Sequence, residues 1–150
     1  MAKLSVIVIT RNEAANIGDC LKSVLWADEI IVVDSGSADD TVSIAIGLGA
    51  QVYEHAEWPG FGPQKNRALG YATGHWVFSI DADERATPAL RIELEQAMEE
   101  AQADGYYCPR LSQFCGKFIH HSGCIPIMCC ACSSAGRADS RIVWCMRACC

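Results

Sequence analysis

Short, strongly apolar runs alternate with amphipathic segments through the first hundred residues of the chain. The runs at 4–10, 29–34 and 75–80 are rich in β-branched and aromatic residues, which is typical of strands buried on both faces. A shorter run at 51–54 predicts another strand. Because strand and helix patterns alternate at least three times, the sequence predicts an α/β domain with a mainly parallel sheet and helices on both faces.

The first two helices are expected to follow the first two strands. Apolar residues recur at helical spacing over 17–26, and Thr10 and Glu13 have the spacing of a capping box. A second helix is expected to open at 37–40 and to end at Gly49.

Two further helices are expected in the second half of the domain. Glycine and proline predict a loop at 57–63, followed by a short helix over 65–72. Thr87 caps the last helix, which has Pro88 at its first position and is expected to end at Gly105.

Polar residues follow three of the predicted strands at the points where the strands end. In a parallel sheet the ligand lies beyond the carboxyl ends of the strands, so these residues are expected to face one crevice. They are Thr10, Arg11, Asn12 and Glu13; Asp34, Ser35 and Ser37; and Asp81, Asp83 and Glu84.

The chemistry of this crevice is acidic. Neither of the common glycine-rich phosphate-binding motifs follows the first strand. Asp81 and Asp83 instead form an Asp-x-Asp, and Mg²⁺ is usually held by one or two carboxylates together with substrate phosphates. A solvated turn or a helix cap is the alternative interpretation of this motif. Its position after a buried strand favours a cation site.

Other polar residues near the strand ends have two interpretations each. Asp34 either caps a turn with Gly36 or accepts hydrogen bonds from a nucleobase or ribose. Lys65, Asn66 and Arg67 either form a solvated helix start or offset phosphate charge in an acidic crevice.

Composition excludes several classes of protein. The net charge of −6 argues against nucleic acid as the main partner, because phosphate backbones bind basic surfaces. The sequence contains no run of 18 apolar residues, so no membrane-spanning helix is predicted. The N-terminal segment lacks the cleavage site of a signal peptide, so a cytoplasmic protein is expected.

The chain resembles the family 2 glycosyltransferases of the GT-A fold over about residues 3–123. Four motifs in the family's order carry the resemblance: LSVIVITRNEAANIGDCLKSV, ADEIIVVDSGSADDT, GPQKNRAL and SIDADE. They are most similar to bacterial enzymes that add glucose to the lipopolysaccharide inner core. The resemblance implies a Rossmann-like nucleotide-sugar-binding domain in residues 1–123, a UDP-glucose donor, a lipopolysaccharide core acceptor, and inverting transfer with Mg²⁺ or Mn²⁺. A lipid-linked acceptor would bring the protein to the surface of the inner membrane.

The resemblance also implies roles for individual residues. Asp34 matches the aspartate that recognises uracil, and Asp83 matches the residue that binds the metal directly. Asp81 matches a residue that contacts either the ribose or the metal side of the site. The whole implied donor site comprises Thr10, Asn12, Glu13, Asp34, Lys65, Asn66, Arg67 and Asp81. A divalent cation would stabilise the charge on the departing diphosphate, and the acceptor hydroxyl needs a general base. No base is identified within residues 1–123, so the catalytic residue is unknown at this point.

Residues 124–150 have a different composition from the rest of the chain. They hold seven of the ten cysteines and have a net charge of +2, whereas residues 1–123 have a net charge of −8. A set of codons can be chosen for this segment that, after one base is inserted near codon 124, encodes WYPDYVLRLF, RFSD and LVHE, which the resemblance predicts there. The hypothesis is therefore a frameshifted, poorly ordered tail, with the acceptor side missing and transfer weak or absent.

A cysteine-rich metal site in this tail is the competing interpretation. Cys129 and Cys132 have a ligand-like spacing, and His120 and His121 lie upstream. The adjacent cysteine pairs at 129–130 and 149–150 do not match the regular ligand spacings of zinc sites. This favours the frameshift hypothesis.

Two other functional classes remain as alternatives to a glycosyltransferase. A sugar-nucleotide transferase also uses an α/β sheet with acidic metal ligands, but it would normally have a glycine-rich basic loop after the first strand. A noncatalytic nucleotide-binding fragment is the other alternative. Titration with nucleotides separates these classes.

Overall fold

The computed structural model describes residues 3–103, 105, 106, 108, 112–114 and 117–119. The tail at 124–150 and the pair His120 and His121 lie outside these residues. The described elements, in chain order, are β1 Leu4–Thr10, α1 Ile17–Lys22, β2 Glu29–Asp34, α2 Thr41–Gly47, β3 Gln51–Glu54, α3 Phe61–Tyr71, β4 Trp76–Asp81, α4 Pro88–Glu100, β5 Ser112–Phe114 and β6 Lys117–Ile119.

The first four strands form one parallel sheet in the order β3-β2-β1-β4. The chain winds outward from β1 through β2 to β3 and then returns to the other side of β1 with β4. The strand order therefore reverses between β1 and β4, which is where open α/β sheets bind their ligands. The strands β5 and β6 form a separate antiparallel pair.

Each face of the parallel sheet has its own apolar core, as the continuous apolar runs predict. On one face, Ile7, Ile31 and Val77 pack with Ala68 of α3. The opposite face of the sheet packs against α1, α2 and α4, which contribute buried side chains that include Leu21, Ala45 and Leu94. The prediction of an α/β fold with helices on both faces of a mainly parallel sheet is confirmed.

A buried carboxylate organises the amino-terminal edge of the sheet, opposite the crevice. The Glu29 carboxylate accepts hydrogen bonds from the Ser5 hydroxyl at 2.5 Å and from the Thr73 backbone N–H at 2.9 Å. The Ser5 hydroxyl in turn accepts a hydrogen bond from the Gly74 N–H at 2.8 Å. These contacts join β1, β2 and the turn before β4.

One helix begins earlier than the sequence pattern predicts. The loop expected at 57–63 ends at Gly60, and α3 begins at Phe61, four residues before the predicted start at Lys65. The first backbone N–H groups of a helix have no intrahelical partner, so Pro63 is tolerated in the first turn of α3. The Gly-Pro pair that suggested a loop lies inside the helix.

Helix ends and one cap also differ from the prediction. Thr10 is the last residue of β1, and α1 begins only at Ile17, so Thr10 and Glu13 form no capping box. α1 ends at Lys22, and turns cover residues 23–26. α4 ends before Ala101, whose left-handed backbone (φ 44°) stops the helix before Gly105.

Within the residues that the structure describes, no helix is both long and apolar enough to cross a membrane.

Candidate functional site

The structure brings the three polar strand ends to one edge of the parallel sheet. In the register of β1 and β2, Thr10 lies opposite Asp34. On the other side of β1, Ile9 lies opposite Asp81 at the end of β4. The predicted clustering of these polar segments follows directly from the parallel register.

Hydrogen bonds join the loop after β1 to the loop after β2. The Asn12 N–H donates to the Ser37 hydroxyl at 2.8 Å, and the Asn12 side-chain oxygen accepts from the Ala38 N–H at 2.8 Å. The Glu13 N–H donates to the Thr41 hydroxyl at 2.8 Å. Asn12 adopts a positive φ of 53°, which asparagine tolerates better than most residues. Asn12 and Glu13 therefore help to define the shape of this edge.

Asp34 is fully buried and caps its own turn. One carboxylate oxygen accepts from the N–H groups of Gly36 at 2.9 Å and Ser37 at 2.8 Å. The other oxygen accepts from the Ser37 hydroxyl at 2.5 Å. This geometry is the turn-capping interpretation of Asp34, with Gly36 at the positive φ of 78° that glycine adopts readily. Recognition of uracil by Asp34 stays a prediction.

Thr10 has a different environment at the neighbouring strand end. Its side chain is buried, and within the described part of the chain its hydroxyl has no hydrogen-bond partner. A buried hydroxyl without a partner is costly. The residue therefore leaves an unsatisfied polar group at the edge where a ligand is expected.

The first turns of α3 connect the ends of two strands. Gln64 is fully buried, and its side-chain amide donates to the Ser35 hydroxyl at the end of β2 at 2.9 Å. The next residue, Lys65, pairs through Nζ with Oδ1 of Asp81 at the end of β4 at 3.0 Å. Gln64 is not among the site residues that the sequence predicts, because the sequence pattern predicts a helix that begins one residue later, at Lys65.

The other two residues of the predicted basic segment lie away from Asp81. Arg67 donates to the side-chain oxygen of Gln64 at 3.0 Å and pairs with Glu57 at 3.7 Å. Asn66 is exposed. Of the three residues at 65–67, Lys65 is thus the one that contacts a strand-end carboxylate in the described structure.

The Asp-x-Asp forms a tight turn at the end of β4. The Glu84 side chain accepts from the Asp81 N–H at 2.8 Å, and the Glu84 N–H donates to the Asp81 carbonyl at 2.9 Å. Asp83 lies exposed at the tip of this turn. The turn leaves the Asp83 carboxylate directed to solvent and holds Asp81 beside Lys65.

These carboxylates fit a divalent cation that a diphosphate helps to hold. Carboxylate oxygens suit Mg²⁺ or Mn²⁺, and Mg²⁺ sites often use only one or two carboxylates plus substrate phosphates. Among the residues that the structure describes, no group of three or more His, Cys, Asp or Glu side chains is arranged to bind a metal. The donor set at Asp81 and Asp83 is therefore chemically suitable but incomplete without a ligand.

A cysteine lies directly behind this turn. The Cys20 thiol is buried and contacts the Asp81 carbonyl oxygen at 3.4 Å. Burial raises the pKa of the Cys20 thiol to about 12, because the thiolate is poorly solvated there. Cys20 is thus a packing residue and not a nucleophile.

Comparison with known proteins gives sequence relatives that are glycosyltransferases. An uncharacterized glycosyltransferase of Rickettsia felis is 43% identical over 107 residues, which cover 71% of this chain and 38% of that protein. The lipopolysaccharide core biosynthesis glycosyltransferase LpsC of Rhizobium meliloti is 40% identical over 99 residues, covering 63% of this chain and 37% of LpsC. The chain spans little more than a third of the length of these relatives.

Solved structures of glycosyltransferases share the fold. Staphylococcus aureus TarS 1-349 in complex with UDP-GlcNAc matches with a TM-score of 0.61 and 29% identity, over 69% of this chain and 33% of that one. The mannosyltransferase PcManGT of Pyrobaculum calidifontis, in complex with GDP-Man and Mn²⁺, matches with a TM-score of 0.58 and 31% identity, over 68% of this chain and 33% of that one.

The family assignment rests on most of the chain. Residues 5–123 match the family described as glycosyl transferase family 2, and this range contains all of the parallel sheet except Leu4, together with every predicted donor residue. The α/β architecture is the one shared with the solved structures above. This chain belongs to glycosyltransferase family 2.

Proposed function

We propose that this chain binds a nucleotide-sugar donor together with Mg²⁺ or Mn²⁺ at the carboxyl edge of its parallel sheet. The observation that carries the proposal is the meeting of Lys65 and Asp81 between β1 and β4, where the strand order reverses. An ammonium and a carboxylate at this point supply opposite charges for a diphosphate and a cation. The proposed metal ligands are Asp83 and Asp81.

The remaining proposed donor residues lie on α3, at the ends of β1 and β2, and in the segment that follows β1. The hydroxyl of Thr10 has no hydrogen-bond partner among the described residues, and this unsatisfied group at the ligand edge supports its place in the site. Asn12 and Glu13 shape the adjoining loop, and Asp34 holds the turn after β2. Together with Lys65, Asn66, Arg67 and Asp81, these residues form the proposed donor site.

The proposed chemistry is inverting transfer of a hexose. When bound, the cation stabilises the negative charge that builds up on the departing diphosphate. Lys65 provides further positive charge beside that position, and the loops after β1 and β2 position the nucleoside. The acceptor hydroxyl attacks from the opposite face and needs a base that lies outside the residues named here.

We propose UDP-glucose as the donor and the lipopolysaccharide core as the acceptor. The name of LpsC supports the acceptor, and the UDP-GlcNAc complex of TarS supports a uridine nucleotide. PcManGT binds GDP-Man, so a nucleotide comparison is the informative test. An acceptor in the lipopolysaccharide core places the protein in the cytoplasm, in peripheral contact with the inner membrane.

We further propose that residues 124–150 are out of frame and that this chain transfers sugar weakly or not at all. The abrupt rise in cysteine content and the change of charge after residue 123 support this. The test is to sequence the coding DNA across residues 120–150. A second frame that encodes WYPDYVLRLF, RFSD and LVHE supports the proposal, and codons that exclude this reading overturn it.

Calorimetric titration of the purified chain with UDP, GDP and UTP, with and without Mn²⁺, tests the donor site. We expect Mn²⁺-dependent binding of UDP that is stronger than binding of GDP. Preference for UTP would favour a sugar-nucleotide transferase. Binding of UDP that is indifferent to Mn²⁺ would favour a noncatalytic nucleotide-binding fragment, and absence of binding to a folded chain would contradict the proposal.

A further inference from the structure

The Lys65–Asp81 ion pair occupies the carboxylate that the proposed function assigns to a cation. Lys65 Nζ lies 3.0 Å from Oδ1 of Asp81, and the two side chains are only 17% and 28% exposed. A partly buried pair is screened less by solvent than a pair on the open surface. The ammonium thus compensates the Asp81 charge in the ligand-free chain.

A divalent cation that approaches Oδ1 of Asp81 also approaches the Lys65 ammonium. A cation on Oδ1 would be directly beside Lys65, and the two positive charges would repel each other. Asp83 is exposed and adds one carboxylate, and the Glu84 carboxylate accepts a hydrogen bond from the Asp81 N–H. Binding of a cation to the ligand-free chain is therefore opposed by Lys65.

A nucleoside diphosphate changes this balance. It offers Lys65 another anionic partner and supplies phosphate oxygens to the cation. The lysine side chain has a flexible four-carbon stem, so the ammonium can move while α3 stays in place. The backbone of α3 is held by the buried hydrogen bond from Gln64 to Ser35.

We propose that the Lys65 ammonium neutralises the Asp81 carboxylate in the ligand-free chain. It is displaced from Asp81 only when nucleotide and divalent cation bind together. The inference rests on the proposed function, and it adds a coupling role for this one side chain. Because linkage is reciprocal, Lys65 would make cation binding depend on nucleotide and nucleotide binding depend on cation. The free chain would then hold little Mn²⁺ or Mg²⁺.

The test measures Mn²⁺ binding to the full chain by electron paramagnetic resonance of the free ion, with and without saturating UDP. For the wild type we expect UDP to strengthen Mn²⁺ binding by about 10-fold or more, within the usual range of coupling between sites. For Lys65→Gln we expect Mn²⁺ binding without UDP to strengthen by roughly 5-fold and the effect of UDP to fall.

Two further variants make the result specific. Lys22→Gln is the matched control, because Lys22 pairs with Asp19 at 3.7 Å on the exposed surface of α1, and it should behave as the wild type. Lys65→Arg keeps a cation at Asp81, so its Mn²⁺ binding without UDP should be no stronger than that of the wild type. If Lys65→Gln fails to fold, Lys65→Arg still tests the inference, because stronger Mn²⁺ binding by this variant without UDP would overturn it.

The outcomes separate this inference from the proposed function. If the wild type does not bind UDP in the presence of Mn²⁺, the proposed function fails and the inference fails with it. If the wild type binds both but folded Lys65→Gln shows unchanged or weaker Mn²⁺ binding without UDP, only the inference is overturned. Stronger Mn²⁺ binding by Lys65→Arg than by the wild type without UDP would also overturn it.

Discussion

The buried side chain of Gln64 donates a hydrogen bond of 2.9 Å to the hydroxyl of Ser35, which is also buried. This bond joins the first turn of α3 to the carboxyl end of β2. The N-cap residue of α3 is Gly60, which has no side chain to cap the helix, so the buried bond is a specific polar anchor for that end of the helix. The adjacent Lys65 pairs with Asp81 at the end of β4.

Replacing Gln64 by alanine is expected to destabilise the fold by about 2 kcal/mol, because the Ser35 hydroxyl loses its partner while it remains buried. Urea unfolding followed by circular dichroism measures the change in the free energy of unfolding. The exposed Asn66 on the same helix gives the control, and Asn66→Ala should change stability by less than about 0.5 kcal/mol. Equal stability of the two variants would contradict the anchoring role.

The sequence was sufficient to predict the four strands of the parallel sheet, because three of them are apolar runs rich in β-branched or aromatic residues. It did not predict the short pair β5 and β6. It was less informative at α3, where Gly62 and Pro63 are typical of a loop and yet occupy the first turn of a helix. Tertiary packing against the sheet outweighs that local signal, since Gly62 and Gln64 are both buried.

The site shows the same division between local and long-range information. The gathering of Thr10, Asp34 and Asp81 at one edge follows from strand order alone. The bond from Gln64 to Ser35 spans 29 residues of sequence, and no local pattern identifies its partner. Whether Asp34 caps a turn or contacts a ligand also depends on contacts that the sequence does not display.

Gly74 and Gly70 are expected to respond to alanine in opposite directions. A Cβ at Gly74 would lie 2.7 Å from the backbone nitrogen of Ser5 and 2.8 Å from the carbonyl of Lys3, both in or beside β1. Because these backbone atoms cannot move aside without disturbing β1, Gly74→Ala should lower the free energy of unfolding by about 3 kcal/mol.

Gly70 lies within α3, and a Cβ there meets nothing within 4 Å. Gly70→Ala should therefore stabilise the chain by about 0.5–1 kcal/mol through helix propensity and a less flexible unfolded state. Thermal and urea unfolding of both variants test the contrast. Similar effects of the two substitutions would contradict the close packing of Gly74 against the backbone at the start of β1.

Glu29 is expected to make stability depend on pH. Burial alone would raise the pKa of Glu29, but hydrogen bonds from Ser5 and Thr73 outweigh burial and hold the pKa below its ordinary value of 4.5. The unfolded chain then binds a proton more readily than the folded chain. The stabilisation from Glu29 is present above pH 4.5 and is lost as the pH falls through the folded pKa.

Comparison of the wild type with Glu29→Gln isolates this contribution. At pH 7 the variant should be less stable by about 1–3 kcal/mol, because the amide donates where the carboxylate accepts. The difference in free energy of unfolding should stay constant down to about pH 5 and then shrink. A difference that grows in acid would contradict the sign of the pKa shift.

Cys20 is expected to resist alkylation in the folded chain. With its pKa raised to about 12 by burial, the thiolate fraction at pH 8 is roughly a thousandth of that of an ordinary thiol. Iodoacetamide labelling followed by peptide mapping should show slow reaction of Cys20 in buffer and rapid reaction in urea. The half-buried Cys108 is the internal comparison, and it should react sooner. Rapid native labelling of Cys20 would contradict its packing role.

The affinity of UDP with and without Mn²⁺, measured for the wild type and for Asp83→Asn, tests the account most directly. The exposed Glu93 on α4 provides a matched control as Glu93→Gln. We predict that Mn²⁺ strengthens UDP binding by about 10-fold or more in the wild type and the control, and that Asp83→Asn loses most of this effect. Retention of the full Mn²⁺ effect in folded Asp83→Asn would contradict a cation site at the Asp-x-Asp.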